Sequence, residues 1–249
     1  MIVVKSKQEL ARMREAGRIV AIVLQELAQR AIPGVVTEDL NDIGHEIITK
    51  KFKAIPSFLG YRGYPASVCI SVNEEIVHGI PGPRHLKDGD IVSFDVGVIY
   101  QGYHGDAART VGVGSIGDEA RRLVEVTREA LDAATAQATA GHRVGDISHS
   151  IQNYAESRGY SVVREYVGHG IGRKMHEDPQ IPNFGEPGRR ERLKPGMTMA
   201  LEPMVNIGGW ATAVLEDDWT VVTADGSLSA HFENTIAVTD GQAEILTKV

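Results

Sequence analysis

Three matches at one spacing constrain this 249-residue chain more than any single motif. Pro33-Gly34 lies 107 residues before Ala140-Gly141, Asp39-Leu40 lies 107 before Asp146-Ile147, and Asp95 lies 107 before Glu202. Chance supplies any one of these. Three at a common offset, joining helix boundaries and two carboxylates, read as a duplicated half. The apolar periods agree. Ser6 and Glu9 make a capping box, and behind them Leu10, Met13, Gly17, Val20, Leu24, Leu27 and Ala31 form one helical stripe that Pro33-Gly34 stops. Thr37 is expected to cap a second helix with Leu40, Ile43 and Ile47 facing inward. A third helix from Asp118 carries Leu123, Thr127, Ala130 and Ala134 and ends at Gly141, and a fourth starts near Asp146 with Ile147, Ile151 and Tyr154. The order is helix, helix, strands, twice over. No low-complexity tract or linker separates the repeats, so one α+β domain over residues 1–249 is expected, with pseudo-repeat halves at about 6–112 and 118–246.

The strands carry the polar chemistry. Residues 91–99 alternate, with Ile91, Ser93, Asp95 and Gly97 on one face and Val92, Phe94, Val96 and Val98 on the other. Tyr100-Gln101-Gly102 reads as a turn, and 104–111 as the returning strand. With the turn centred between Tyr100 and Gln101, Asp95 and Asp106 stand opposite each other. Carboxylates so placed repel, and a positive group is expected between them. Towards the C-terminus, 219–222 and 230–238 flank the turn signal Ala224-Asp225-Gly226 and repeat this style, with His231, Glu233 and Thr235 on one face. Pro203 is expected to end a strand just after Glu202. Gly168-His169-Gly170-Ile171-Gly172 reads as a short, flexible, imidazole-bearing segment.

Taken singly, Asp95, Asp106, His169, Glu202 and Glu233 each have an ordinary reading as strand, turn or loop residues. Taken together they do not, because strand-borne carboxylates in apolar surroundings are costly unless paired or bound to metal. No Lys or Arg lies within five positions of Asp95 or Glu202, so divalent ions are the available counter-charge. The overall balance is 26 Lys and Arg against 33 Asp and Glu, a net charge of −7, which argues against nucleic acid as the main partner. No apolar run reaches membrane-spanning length, the N-terminus has no signal-peptide pattern, and the single cysteine, Cys69, fits a reducing cytoplasm.

In order, Asp95, Asp106, His169, Glu202 and Glu233 resemble the dinuclear metal site of the pita-bread aminopeptidases. Asn73-Glu74-Glu75-Ile76-Val77-His78-Gly79-Ile80-Pro81, Tyr166-Val167-Gly168-His169-Gly170-Ile171-Gly172, Met175-His176-Glu177-Asp178-Pro179 and Leu201-Glu202-Pro203 are similar to type 1 methionine aminopeptidases. The resemblance spans about 6–246. It implies a pita-bread fold, in which pseudo-two-fold α/β halves share a central antiparallel sheet. It implies two divalent ions (Co, Mn, Fe or Zn), one chelated by Asp95, the other by His169 and Glu202, with Asp106 and Glu233 bridging. Glu202 would also move the proton of the attacking water, His176 would stabilise the oxyanion, and His78 would contact the scissile amide nitrogen. Phe58, Tyr61, Tyr64, Cys69 and Trp219, with Met175, are candidates for a methionine pocket, since a thioether suits apolar and aromatic walls; ordinary core packing is the alternative. Asn73 and Ser229 match positions that hold a monovalent cation in some members. Asn234 departs from the histidine usual there, which puts an outer hydrogen bond to the metal site in doubt, and Met175 departs from an aromatic position.

The implied activity is removal of the initiator methionine from nascent chains whose second residue is small, by a cytoplasmic monomer in transient contact with the ribosome. The chain starts five residues before its first cap, leaving no room for a zinc-binding extension, and no extra helical subdomain separates His176 from Glu202, against type 2. Residues 203–247 hold seven Asp and Glu and no Lys or Arg, so Lys50, Lys51 and Lys53 are the better candidate ribosomal patch. An Xaa-Pro peptidase on the same fold usually carries a further N-terminal domain. A non-enzymatic relative would be expected to have lost ligands, and all five are present.

Overall fold

The computed structural model describes residues 2–249. Helix α1 spans Lys7–Arg30, opened by the expected capping box: Glu9 Oε2 accepts from the Ser6 N–H at 2.8 Å and Ser6 Oγ from the Glu9 N–H at 3.4 Å. Its stripe packs on the hairpin Ile91–Tyr100/Tyr103–Gly112, where Val92, Phe94, Val96 and Val98 are fully buried. Gly17 and Gly105 make this contact close. A Cβ at Gly105 would lie 2.7 Å from the Gly17 nitrogen, and one at Gly17 would lie 2.3 Å from the Leu246 oxygen on the other side.

Helix α2, Thr37–Glu46, differs from expectation at both ends. Thr37 is inside the helix rather than its cap. Its hydroxyl donates to the Gly82 oxygen at 2.9 Å and accepts from the Gly82 N–H at 3.0 Å, so it fastens the helix to a loop. The helix then runs into a π-helical turn, Ile47–Lys51. The wider turn changes the phase, so Ile48 is fully buried while Ile43 and Ile47 are only partly so. Helices α3, Asp118–Gln137, and α4, Val144–Glu156, pack on each other and on a second sheet through Leu123, Leu131, Ile147 and Ile151. Helix α3 ends four residues before Gly141, not at it.

Two sheets position the site. In the first, Ile91–Tyr100 pairs on one edge with Ile55–Pro56 and Cys69–Val72 and on the other with Tyr103–Gly112. The second is antiparallel in the order Glu244–Ile245, Asn234–Ala237, Thr198–Leu201, Val167–Gly170, Glu177–Pro182. The hairpin register is shifted from the expected one. Gln101 and Gly102 both have positive φ, 48° and 80°, as a two-residue hairpin turn requires, so the turn centre lies between them. Asp106 therefore faces Gly97 and Asp95 faces Ala108. Because the shift is even, both carboxylates keep the same face, as diagonal neighbours rather than direct partners.

The C-terminal segment departs from a simple hairpin. Val221–Thr223 pairs with Thr212–Val214 and Glu75–Val77 rather than with the strand after its turn, and that strand breaks into Ser229–His231 and Asn234–Ala237. Nor is 168–172 a flexible segment: Val167–Gly170 is an interior strand of the second sheet. Its glycines serve close packing, since a Cβ at Gly168 would lie 2.5 Å from the Ala200 oxygen and one at Gly170 would lie 2.0 Å from the Asp178 oxygen.

The two sheets join along a seam. Ala108 and Glu233 exchange backbone hydrogen bonds of 3.3 and 2.9 Å. Two residues away on each side a threonine hydroxyl takes over. Thr235 Oγ1 accepts from the Asp106 N–H at 3.0 Å and donates to the Asp106 oxygen at 2.8 Å. Thr110 Oγ1 accepts from the His231 N–H and donates to the His231 oxygen, each at 2.9 Å.

Candidate metal centre

All five expected ligand residues line one cavity of about 280 Å³, together with His78, His176, Phe58, Tyr61, Tyr64, Cys69, Met175 and Trp219. Asp95 lies mid-strand and Asp106 on the returning strand, both on the face opposite the α1 core. His169 is held in the Val167–Gly170 strand, Glu202 follows Thr198–Leu201 directly, and Glu233 occupies the break between Ser229–His231 and Asn234–Ala237. Asp106 and Glu233 are each 3% exposed. Ligand-type atoms of Asp106, His169 and Glu233 all lie within 4.8 Å of one another. His169 Nε2 is 3.8 Å from Asp106 Oδ2 and 3.6 Å from Glu202 Oε1.

The proton of His169 is fixed by its surroundings. Its Nδ1 lies 2.8 Å from the Gly170 oxygen, which can only accept, so the proton is on Nδ1 and Nε2 presents a lone pair to the carboxylates. Lone pairs facing lone pairs call for a cation. Among the described residues, Asp95 Oδ1, Asp106 Oδ1 and Glu233 Oε1 are buried with no hydrogen-bond partner, and the cavity lining includes no Lys and one Arg, Arg62. Burial pushes the Asp95 carboxyl up to about 7. Burial, then the neighbouring carboxylates, raises Asp106, Glu202 and Glu233 well above the usual range. Burial, then His176, brings His169 down to about 3. The carboxyl shifts are what crowding buried anions produces, and a divalent ion relieves them, while a neutral imidazole is the form that binds a metal. Burial, then Asp95, keeps the Cys69 thiol protonated, so the donor set is oxygen and nitrogen without thiolate. The residues fit divalent metal.

Beside the anions stands an apolar wall. Phe58, Tyr64, Ala66, Cys69 and Met175 form a small buried cluster apart from the two main cores, with Tyr61, Ile80 and Trp219 against it. Tyr64 meets Trp219 edge-on at 5.1 Å, and its hydroxyl donates to the Gly79 oxygen at 2.8 Å. Gly97 admits Phe58, since a Cβ there would lie 2.7 Å from Phe58 Cε1. His78 has a positive φ of 61° and stands edge-on to Tyr166 and Trp219, at 5.7 and 6.2 Å. Burial, then His176, lowers it to about 4, so its ring is neutral at neutral pH. The His176 ring centre is 4.3 Å from that of His169, and its Nδ1 is 2.8 Å from the Tyr61 hydroxyl.

A family model described as metallopeptidase family M24 matches residues 11–240. The chain belongs to metallopeptidase family M24. Methionine aminopeptidase 1 of Bacillus subtilis is 55% identical over 249 residues, covering all of both chains, and methionine aminopeptidase of Clostridium acetobutylicum is 54% identical, covering 99% of each. The crystal structure of methionine aminopeptidase from Thermotoga maritima matches with a TM-score of 0.98 at 50% identity, covering all of both chains. A prolidase from Pyrococcus furiosus shares the fold alone, with a TM-score of 0.81 at 23% identity over 99% of this chain and 66% of that one. The M24 chain therefore has the expected pita-bread fold and a hydrolase's metal-binding family, which implies divalent metal.

Three residues singled out from the sequence, two as cation candidates and Asn234 as a departure, lie away from this M24 cavity. Asn73 and Ser229 meet each other, the Ser229 N–H donating to the Asn73 oxygen at 2.9 Å, but neither lines the cavity, and the Asn73 side chain bonds Ile91 and Asp90. Asn234 turns its amide oxygen to the Thr247 hydroxyl at 2.9 Å. One residue was not singled out from sequence: His231, 1% exposed, with Nε2 3.9 Å from Glu202 Oε2. Its position two residues before Glu233, on the same strand face, was the available signal.

Proposed function

We propose that this chain is a methionine aminopeptidase that removes the initiator methionine from nascent proteins whose second residue is small. The observation that carries the reading is the convergence of four carboxylates and one imidazole, drawn from both sheets, against an apolar aromatic wall of thioether-accepting character. Asp95 would hold one divalent ion, His169 and Glu202 a second, and Asp106 and Glu233 both. When bound, the ions supply Lewis acidity and lower the pKa of water at the site. Co, Mn, Fe and Zn all suit the donor set.

The chain's own residues do the rest. Glu202, kept basic enough by burial and by neighbouring anions, accepts the proton of the attacking water and passes it on. His176 donates from Nε2 to the carbonyl oxygen as charge develops there. That requires its proton on Nε2, with Nδ1 accepting from the Tyr61 hydroxyl 2.8 Å away. His78, neutral and edge-packed, contacts the scissile amide nitrogen. Phe58, Tyr61, Tyr64, Cys69, Met175 and Trp219 enclose the methionine side chain. Each oriented donor contributes on the order of 3 kcal/mol to lowering the barrier.

The same proposal makes residues 1–249 a single catalytic domain of two duplicated halves, about 6–112 and 118–246. It acts as a monomer in the cytoplasm, with transient ribosome contact. No described helix is long and apolar enough to cross a membrane. Lys50, Lys51 and Lys53 remain the candidate ribosomal patch, weakened because Lys50 pairs with Glu46 at 2.5 Å. Asn73 and Ser229 are the candidate monovalent-cation residues. The deciding assay compares Met-Ala and Xaa-Pro peptides with Mn, Fe, Co and Zn. Met-Ala cleavage is expected with at least one metal and none after exhaustive chelation. Preference for Xaa-Pro, or full activity in chelator, would refute the assignment.

A further inference from the structure

His231 has no part in the mechanism above, yet it is among the most constrained side chains near the cavity. It ends the Ser229–His231 strand opposite Met204, and Thr110 bonds both its backbone N–H and its oxygen. Its ring is enclosed, and among the described residues neither Nδ1 nor Nε2 has a hydrogen-bond partner.

Glu202 stands between two imidazoles. Its Oε1 is 3.6 Å from His169 Nε2, and its Oε2 is 3.9 Å from His231 Nε2. The two rings present opposite polarity. His169 has committed its proton to the Gly170 oxygen, so its Nε2 is a lone pair and needs a cation between it and Oε1. No carbonyl fixes the tautomer of His231. A lone pair on its Nε2 would face those of Oε2, whereas a proton there faces them favourably.

We propose that His231 is a positioning residue: its Nε2–H donates to Glu202 Oε2 and turns the carboxylate so that Oε1 alone faces His169 and the metal. A hydrogen bond of about 2.7–3.2 Å is shorter than the present separation, so the proposal requires a rotation of one of the two side chains to close the gap. The inference rests on the metal-centre reading of the same site. It assigns His231 no ligand role and no proton transfer.

Manganese titration by calorimetry into metal-stripped full-length protein tests it with H231L and H231Q. Leucine fills similar space without a donor, while the glutamine amide restores an N–H. H231L is expected to bind Mn²⁺ at least about tenfold more weakly, as loss of an outer hydrogen bond to a ligand does. It should also lose kcat on a Met-Ala peptide with KM within about twofold, because the defect is in Glu202 orientation and not in the pocket. H231Q should return both quantities to within about threefold of wild type. Circular dichroism checks the fold, and H231M replaces H231L if the latter does not fold. Wild-type Mn²⁺ affinity in the donor-less variant would overturn the proposal, as would equal impairment of H231L and H231Q. A wild-type protein that binds no Mn²⁺ would instead bring down the metal-centre reading, and this inference with it.

Discussion

The N-terminal half delivers Asp95 and Asp106 on one uninterrupted hairpin, whereas the C-terminal half delivers His169, Glu202 and Glu233 at a bulge, a strand end and a strand break. In the hairpin the ladder and a two-residue turn set the spacing of the two carboxylates, so local chemistry suffices. In the C-terminal sheet three short strands must be assembled first, and each ligand sits where the regular ladder stops. The division continues in the cavity. Phe58, Tyr61, Tyr64, Cys69 and His78 come from the first half, and Met175, His176 and Trp219 from the second. Neither half holds all of the candidate ligands, and the threonine-bonded seam is what brings them together.

The largest effect is expected from removing one proposed bridging residue from each half. Asp106→Ala and Glu233→Ala should each lower kcat/KM by on the order of a thousandfold or more, a loss of about 4 kcal/mol or more in transition-state stabilisation. Circular dichroism should show the fold retained. Near-wild-type turnover in either would remove that residue from the bridging role and leave the other half in charge of the metals.

Smaller effects separate the ways in which the halves are packed. Gly105→Ala pushes the hairpin against α1, with a Cβ 2.7 Å from the Gly17 nitrogen, and Gly170→Ala pushes one strand against another, with a Cβ 2.0 Å from the Asp178 oxygen. Urea unfolding should place both losses at about 1–3 kcal/mol, with Gly170→Ala the larger because its backbone obstacle is nearer. Equal or reversed losses would mean the C-terminal sheet yields more easily than its short strands suggest.

The smallest effects lie in the seam and in protons. Thr235→Val removes two hydrogen bonds to Asp106, and Thr110→Val two to His231, each expected to cost about 1–3 kcal/mol of stability. Metal affinity should follow pH. Without metal, the Asp95 carboxyl is raised to about 7 and Asp106, Glu202 and Glu233 are raised as well, so these groups bind protons that a metal must displace. Affinity should therefore fall as pH drops through about 7, with protons released on binding. Calorimetry in buffers of different ionisation enthalpy reads both; a pH-independent affinity would contradict the carboxylate clustering.

The contrast between halves also explains what could be read from the chain. Helix α1, its capping box, the core face of 91–100 and the shared face of Asp95 and Asp106 all follow from local periodicity and appear as expected. The hairpin register slipped by an even step because Gln101 takes a positive φ beside Gly102, a choice that composition alone does not dictate. Three features depend on contacts made far along the chain: the interior strand around His169, the break at Glu233, and the pairing of Val221–Thr223 with Glu75–Val77. The five candidate ligands could be picked out together because their order and flanking residues form a pattern, and all five line one cavity. His231 was not, since its importance lies in a distance to Glu202 that only the folded chain fixes.

The central claim is that ligands from both halves close on one pair of ions. Anomalous diffraction from manganese-loaded crystals tests it most directly. Two peaks are expected, with oxygen or nitrogen atoms of Asp95, Asp106, His169, Glu202 and Glu233 at about 2.0–2.2 Å and with Asp106 and Glu233 touching both. A single ion held by residues of one half, or peaks away from this cavity, would contradict it.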